Sequence, residues 1–421
     1  MRNKHLFIAV VSTLLVALVV SGCVGSAEPG EPKEEPIKVG GLIPVTGPFA
    51  SDGKTWSTGM TMAVAELNKQ GGLLGRPVEL AVFDIEDMMA EKLTAATEKL
   101  VGRDKVDLLA TIYAGFGPDV VACGKYDVPF IQQDANEMVA NMIKDNWPQY
   151  SNVFMTAWVE KEYGKENWRM IKRLPYEFPN NKIARLSGDF DWDLLSTEGA
   201  CAEAEKEGWE RVVDETFSYG VREWGPILTK IRQEDPSLII FGSLDAGDMM
   251  TFFRQWSEEP TNSLIDFGYG SEIPAILDML GDEGNGVLGY ALTRELPYGR
   301  GAEWAELYRE EYEMDLWGSR RATIPASVSV SYDTIMIWAD AVKAVGDPTD
   351  YAAICDYLRE SDNACVEGEF HFDEYGLLEV GPHMPMHYQQ WQDGKGERLF
   401  LTGQEGYIGD ATFQLPSWLE E

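Results

Sequence analysis

The sequence predicts an α/β protein of two lobes, each built on a parallel β-sheet. Short apolar segments alternate with amphipathic helical segments from Ile37 onward, and a second series of the same kind begins after Trp158. Short strands that alternate with helices are typical of parallel sheets covered on both faces. Roughly 385 residues follow residue 36, which is too many for one core and suits two lobes.

The first 22 residues have the organisation of an export signal. Arg2 and Lys4 precede an apolar run over 6–20, shorter than the ~20 apolar residues of a membrane span. The small residues around Cys23 resemble a lipoprotein lipobox and predict cleavage before Cys23 with lipid on its thiol. The alternative is an uncleaved anchor with a chance cysteine. Either arrangement holds the rest of the chain outside the cytoplasmic membrane, tethered to it.

Residues 23–36 comprise the lipidated cysteine and a flexible acidic linker. The segment from Ser26 to Pro36 contains three prolines, four glutamates and no large apolar side chain. Such a segment cannot bury enough surface to fold. We therefore expect a polar spacer between the membrane and the folded lobes.

The charge of the chain excludes two classes of partner. Asp and Glu number 70 against 35 Lys and Arg, and the formal net charge is −35. Nucleic-acid binding requires basic patches, so no nucleic acid is expected as a partner. Docking on anionic lipid headgroups is disfavoured for the same reason.

The first series of elements runs from residue 37 to about residue 133. Its strand-like segments are 39–45, 78–84, 106–113 and 128–133. The clearest helix covers 53–70, where apolar residues recur at helical spacing before Gly71 and Gly72 end it. These apolar residues are Trp56, Met60, Ala63, Val64 and Leu67. Trp56 fits this stripe and is interpreted as a core residue.

The second series and the C-terminal tail also contain strand-like and helical segments. The strand-like segments are 182–189, 211–217, 237–244 and 264–270, with helices over 193–207, 223–234 and 247–258. In the tail, helical segments at 302–317, 325–345 and 350–359 precede the strand-like segments GEFHFD, MHYQQWQ and ERLFL. No low-complexity linker separates the halves, so several short crossings are expected between them.

Four cysteines other than Cys23 are present. An exported chain meets an oxidising environment, and Cys355 and Cys365 lie ten residues apart, so a local disulfide between them is predicted. Cys123 and Cys201 fall on the core side of helical patterns, where buried free thiols are the plain interpretation.

The N-terminal stretch resembles the branched-chain amino-acid (Leu/Ile/Val) binding proteins of ABC importers. The resemblance rests on VGGLIPVTGPFASDGKTWSTGMTMAVAELNKQGGLLGRPVELAVFDIED, with later echoes in VPFIQQDAN, FFRQW and SYDTIMIWADAV. It implies a type I periplasmic binding fold, a "Venus flytrap" of two Rossmann-like lobes joined by a multi-strand hinge. One lobe is expected to comprise 37–155 and 293–371, and the other 156–292 and 372–421.

The resemblance also implies a set of ligand contacts in the first lobe. Two loops that follow the third and fourth strands hold the ligand carboxylate in the family. Here these loops are Tyr113-Ala114-Gly115, where relatives carry serines, and Asp134-Ala135-Asn136, where relatives end in threonine. Asp52 falls at an aromatic ligand contact of relatives, and Phe49 is expected to wall the cleft. Surface packing of the loops is the alternative interpretation.

In the second lobe, the resemblance places Trp192 at a cleft tyrosine, Asp245 in an aromatic-bearing loop, and Glu272 near the acid that binds the ligand ammonium. A carboxylate suits an ammonium through charge-assisted hydrogen bonds. A solvated loop acid is the plain alternative for Glu272. Together with Asp52 and Asp134, these acids predict an electronegative cleft that favours an amine-bearing solute.

No catalytic or metal constellation is present in the sequence pattern. The acids of DFDWD (189–193) have calcium-loop spacing, but Leu194 stands where the loop needs glycine and Ala200 where it needs glutamate. His383 and His387 are separated by Pro385, which prevents them from sharing a helix face. We therefore predict no enzyme, no metal and no cofactor.

The function expected from the sequence is that of a solute-binding receptor outside the cytoplasm. It captures a small amino-acid-like or amide- or amine-bearing solute by hinge closure, as a monomer, and delivers it to an ABC transporter permease. A tethered sensor built from the same lobes is the alternative. An exported hydrolase using paired carboxylates is disfavoured because the motifs of such chemistry are missing.

Overall fold

The computed structural model describes residues 35–420 apart from Pro48, Thr293 and 313–323. The signal segment, Cys23 and the linker up to residue 34 lie outside the described residues, as does the residue of the expected lobe boundary at 293. The segment Pro36–Glu421 forms one compact unit that holds both sheets. Among the described residues, no helix combines the length and apolarity that crossing a membrane requires.

The strands are, in chain order, β1 (Ile37–Ile43), β2 (Val78–Asp84), β3 (Leu108–Ala110), β4 (Phe130–Gln132), β5 (Val153–Met155), β6 (Lys182–Gly188), β7 (Glu210–Phe217), β8 (Leu238–Gly242), β9 (Leu264–Asp266), β10 (Leu288–Ala291), β11 (Asn363–Ala364), β12 (Glu369–Phe370), β13 (His387–Gln392) and β14 (Lys395–Leu401). The helices are α1 (Ala50–Lys69), α2 (Ala90–Thr97), α3 (Pro118–Cys123), α4 (Glu137–Asp145), α5 (Glu160–Ile171), α6 (Asp191–Lys206), α7 (Gly225–Glu234), α8 (Ala246–Ser257), α9 (Pro274–Leu280), α10 (Gly299–Tyr312), α11 (Ala326–Val345) and α12 (Tyr351–Glu360).

The first sheet has the order β2-β1-β3-β4-β5, and all its strands are parallel. Strands β1, β3, β4 and β5 are apolar and buried, as expected of a parallel sheet covered by helices, whereas the edge strand β2 is partly exposed. Helix α11, far along the chain, packs on α1 at a close approach: a Cβ atom on Gly59 would lie 2.1 Å from the carbonyl oxygen of Val328. The C-terminal part of the chain thus completes the layer over the first sheet.

The second sheet has the order β14-β13-β10-β9-β8-β6-β7. Strands β6 to β10 are parallel, whereas β13 runs antiparallel to β10 and β14 antiparallel to β13. The chain passes between the sheets three times, after β5, after β10 and before β13. Single bridges pair Met155 with Leu377 and Phe372 with Leu378 where two of these passages lie together. The expected α/β fold of two lobes with parallel sheets is confirmed.

Two sequence-based expectations about local structure are wrong. The predicted strand over 264–270 ends at Asp266, because Asp266 Oδ1 accepts a hydrogen bond from Gly268 N at 2.8 Å and Gly268 has φ +54°, which starts a 3₁₀ turn. The predicted disulfide between Cys355 and Cys365 is also wrong for this structure. Both are free, buried thiols, Cys355 on α12 and Cys365 beside the backbone of Asp333.

Candidate functional site

The wall contributed by the first lobe is aromatic, with one carboxylate among the rings. Asp52, in the first turn of α1, accepts a hydrogen bond from the Tyr113 hydroxyl. The Tyr113 ring meets Trp56 edge-on at 4.9 Å between centroids, meets Phe49 at 6.4 Å, and stacks on Phe116 at 6.0 Å. Trp56 is fully buried, as the helical stripe predicted, while Phe49 is partly exposed. Phe49, Asp52 and Tyr113 are thus brought together.

The two loops beyond β3 and β4 hold each other through Asp134. Its Oδ1 accepts from Ala114 N at 3.2 Å, and its own amide donates to the Gln132 side chain. Gly115 has φ +84° and Ala135 has φ +41°, so both loops turn through left-handed backbone at the sheet edge. Of the predicted contacts in these loops, Ala114, Asp134, Ala135 and Asn136 are buried.

Asn136 acts as the N-cap of α4, where its Oδ1 accepts from Val139 N at 3.1 Å. Its Nδ2 donates to Glu160 Oε1 at 2.9 Å. Glu160 stands at the start of α5, beyond the first passage between the sheets, and its other oxygen accepts from Glu137 N at 2.8 Å. Burial raises the pKa of Glu160 to about 7. Asn136 therefore links the loop to the passage.

Asp134 belongs to a buried pair of carboxyl groups. Its partner is Asp119 of α3, and neither side chain reaches solvent to any extent. Burial raises the pKa of both, Asp119 to about 6 and Asp134 well above its ordinary value, and the neighbouring Asp119 raises that of Asp134 further. Two carboxyls in contact share a proton because both cannot ionise in a dry site. The raised pKa values favour a proton shared between Asp119 and Asp134, which lessens the negative charge that the sequence suggested for this loop.

The wall contributed by the second lobe is a pocket where β6, β8 and β9 end. Trp192, in the first turn of α6, meets Tyr269 edge-on at 5.9 Å and Tyr163 at 5.6 Å. The pocket is narrow, and the volume inside it that a water-sized molecule can reach is about 10 Å³. Its lining includes Trp192, Asp193, Ser243, Tyr269 and Tyr290, and no lysine or arginine among the described residues. This is the carboxyl edge of a parallel sheet, where open α/β folds bind ligands.

Asp193 is the acid of this pocket. The Tyr219 hydroxyl donates to its Oδ2 at 2.5 Å and accepts from Leu244 N at 3.2 Å. Burial raises the pKa of Asp193 to about 7, with a smaller contribution from the charges of Asp189 and Asp248. Asp193 is thus positioned by a tyrosine rather than by a cation.

Two predicted acids of the second lobe have partners of their own. Asp245 caps α8 through its Oδ1, which accepts from Asp248 N at 2.8 Å. Glu272 Oε2 lies 3.0 Å from Nη1 of the fully buried Arg294. The negative charge expected of the cleft is thus reduced at Asp134, where burial raises the pKa, and at Glu272, which is paired with Arg294.

The two walls face each other and touch. Phe116 of the first lobe meets Phe190 of the second at 6.3 Å, ring to ring. Burial raises the pKa of the Tyr269 hydroxyl, and the charges of Glu272 and of Asp52 across the cleft raise it further. Asp52 acts in the same direction on Tyr113. The carboxylate of one lobe thus lies within electrostatic reach of the tyrosine of the other.

Comparison with known proteins decides the family. A family model described as periplasmic binding protein matches residues 36–395. The chain belongs to the periplasmic binding protein family. Members of this family are solute-binding proteins rather than enzymes, they work outside the cytoplasm, and they serve ABC transporters with small-molecule ligands and permease partners.

Similar proteins support a branched-chain amino-acid type of periplasmic binding protein. The Leu/Ile/Val-binding protein BraC3 of Rhizobium johnstonii is 22% identical over 238 residues, which cover 56% of this chain and 61% of that protein, less than two thirds of its length. A solved structure from Silicibacter pomeroyi, provisionally assigned as a branched-chain amino acid ABC transporter, is 25% identical with a TM-score of 0.83, covering 91% of this chain and all of that one. LivJ of Streptococcus pneumoniae, solved with isoleucine, is 18% identical with a TM-score of 0.69, covering 86% and 98%.

In this periplasmic binding protein, sequence reasoning missed part of the aromatic lining. Phe116, Phe190 and Tyr269 line the cleft although no prediction named them, and Asp193 was considered only as part of an acidic turn. Phe116 and Phe190 lie between the end of a strand and the start of the next helix, and Tyr269 lies in the 3₁₀ turn after β9. Position after a strand, rather than residue type, was the signal that could have found them.

Proposed function

We propose that this protein is a receptor that captures a small amino-acid-like, amide- or amine-bearing solute between its lobes and delivers it to an ABC importer permease. The observation that carries the proposal is the pair of half-sites that meet across Phe116 and Phe190. Each lobe supplies one wall, so a solute that touches both stabilises the closed arrangement over an open one.

The hinge is proposed to lie at the three passages between the sheets, near Thr156, Leu292 and Phe372. The paired bridges at Met155–Leu377 and Phe372–Leu378 join two of these passages into one unit. A few kcal/mol of differential affinity suffices to shift such an equilibrium. We divide the lobes accordingly, into 37–155 with 293–371 and 156–292 with 372–421.

Binding and closure are tested on the chain from residue 24 onward. A thermal-shift screen covers amino acids, amides, amines and small organic acids, since a solute that binds only the native state raises its melting temperature with saturation. Each solute that stabilises is then followed by small-angle X-ray scattering and recovered after unfolding the protein. We expect a smaller radius of gyration and a chemically unchanged solute. Conversion of the solute would refute the receptor, and an unchanged radius would refute closure.

The anchor is proposed separately: cleavage before Cys23 and lipid on its thiol, with residues 23–36 as the spacer. The order of basic residues, apolar run and small-residue site in the sequence supports it. Mass spectrometry of the mature N-terminus in a lipoprotein-processing host should show an acylated Cys23. A mature chain that retains Met1, or begins elsewhere, would contradict the anchor.

A further inference from the structure

Two carboxyl groups of the cleft have no ion-pair partner in the described part of the chain. Asp52 stands on the wall of the first lobe and is hydrogen-bonded to the Tyr113 hydroxyl. Asp193 lines the pocket of the second lobe and is hydrogen-bonded to the Tyr219 hydroxyl. By contrast, Glu272 is paired with Arg294, and Asp248 with Arg222. A cation that enters the cleft therefore finds acidic groups on both sides.

Aromatic rings stand on both walls of the cleft. Tyr113 and Phe116 are stacked on one side, and Trp192 and Tyr269 meet on the other. Aromatic faces attract organic cations, and this attraction is strongest where water is excluded. Tyr269 also lines the pocket of the second lobe. Rings together with unpaired carboxyls form a binding site for an ammonium group.

The groups that would hold an amino acid by both of its charged ends are already engaged. Ala114 N donates to Asp134, and the Asn136 amide donates to Glu160, so neither is offered to a carboxylate. The acid expected to bind the ammonium, Glu272, is 8% exposed and bound to Arg294. An amino acid would have to break these contacts, whereas a plain ammonium ion needs none of them.

We infer that the solute is an organic ammonium ion without a carboxylate group, held between aromatic rings with Asp52 and Asp193 as its counter-charges. This inference rests on the proposed receptor function and narrows its solute class. The apolar part of the solute would contact the rings, and the ammonium would lie between the two lobes. Closure would then bring the carboxyl groups of Asp52 and Asp193 toward the same ammonium group.

The probes are chosen to differ only in charge. Tetramethylammonium, tert-butylammonium, tert-butanol and trimethylacetate have nearly the same shape, and leucine adds the amino-acid headgroup. Isothermal titration measures Kd for each on the chain from residue 24 onward. We expect both ammonium ions to bind, with tert-butanol and trimethylacetate at least about 10-fold weaker, because a desolvated carboxylate discriminates charge strongly. Leucine should bind more weakly than tert-butylammonium.

The matched variants are Asp52→Asn and Asp145→Asn. Both remove one negative charge, but Asp145 lies at the exposed end of α4. Asp52→Asn keeps an oxygen that accepts from Tyr113, so the fold should be unchanged by circular dichroism. We expect at least about 10-fold weaker ammonium binding for Asp52→Asn and no change for Asp145→Asn.

The outcomes separate the inference from the receptor function. Stronger binding of leucine or trimethylacetate, equal binding of tert-butanol, or equal effects of the two variants would overturn the ammonium class while leaving a solute receptor. Absence of binding by both ammonium ions would overturn it as well. The receptor function itself fails only on the separate tests of solute recovery and closure.

Discussion

At the residue scale, the carboxyl pair of Asp119 and Asp134 shows how burial reverses an expectation drawn from charge. As a sequence feature, Asp134 predicts a negative site loop. In the structure its Oδ1 accepts a hydrogen bond from Ala114 N, which fastens the loop after β4 to the loop after β3. The pair therefore helps to fix the shape of the first lobe's wall. Its contribution to the free energy of unfolding depends on pH.

The first prediction concerns this pH dependence. The folded-state pKa values of Asp119 (about 6) and Asp134 lie above those of an unfolded chain. Between pH ~4 and ~7 the native state therefore binds more protons, and the free energy of unfolding falls as pH rises through this window. Asp134→Asn should make the fall shallower, because it removes one of the two carboxyl groups whose pKa is raised in the native state. Urea unfolding at pH 4.5, 6 and 8 measures this slope, with Asp145→Asn as the control; equal slopes in both variants would contradict it.

A second prediction concerns the thiols. All four described cysteines are buried and free, and burial raises the pKa of Cys355 to about 12. Buried thiols with raised pKa values react slowly because the thiolate is the reactive form. We expect no free thiol to react with a maleimide in the native protein, four to react after unfolding in the chain from residue 24, and no effect of a reducing agent on the melting temperature. A mass two units lower for the 355–365 peptide would show that a disulfide forms after all.

At the element scale, close approach of helices depends on single glycines. Helix α1 packs on α11 so tightly at Gly59 that an added Cβ would lie 2.1 Å from Val328 O and 2.2 Å from Ser331 Oγ. The neighbouring hydroxyls form a bond here as well, since Thr55 Oγ1 lies 2.7 Å from Ser327 Oγ. The contact joins the helix that carries Asp52 to the helix that follows the second passage between the sheets.

The third prediction tests this contact. Gly59→Ala should reduce the free energy of unfolding by about 1–3 kcal/mol, because overpacking forces the helices apart. Gly102→Ala is the matched control, since no atom lies within 4 Å of its added Cβ and its backbone is helical. It should be neutral, or stabilising by up to about 1 kcal/mol, through the entropy of the unfolded chain. Urea unfolding measures the free energy of unfolding of both variants. A similar effect of the two substitutions would contradict the prediction and show that α1 shifts to accommodate the added Cβ.

The elements themselves were largely predictable, for a physical reason. Long helices such as α1 and α11 repeat their apolar positions over several turns, so the pattern is redundant. Strands β5 and β10 were missed, whereas the equally short β3, β4 and β9 lie in longer apolar segments that the pattern reveals. The candidate site was also only partly predictable. Trp192 and Tyr113 were expected from the family resemblance, whereas the pairing of Glu272 with Arg294 depends on two segments that only folding brings together.

At the scale of the whole molecule, a buried charge network joins the second passage to the cleft. Arg294 is fully buried and pairs with Glu272 and with Glu295, while Arg398 of β14 pairs with Glu295. Two positive and two negative side chains balance. Burial alone raises the pKa of Glu295, but the charges of Arg294 and Arg398 outweigh it and the net shift is downward. The network therefore remains charged and fastens the 3₁₀ turn of Tyr269 and Glu272 to the passage.

The fourth prediction follows from this balance. Arg294→Met should cost about 3–5 kcal/mol of unfolding free energy, because Glu272 is left buried without its cation. The double variant Arg294→Met/Glu272→Gln should recover a large part of that loss, since the unpaired charge is gone. Arg254→Met removes an exposed pair with Glu283, whose side chains are 47% and 63% exposed, and should cost no more than about 1 kcal/mol. Urea unfolding of the unchanged protein and of these three variants measures each loss of unfolding free energy. If Arg294→Met cost no more than Arg254→Met, or if the double variant were no more stable than the single one, the network would not be what holds the second lobe's wall to the hinge.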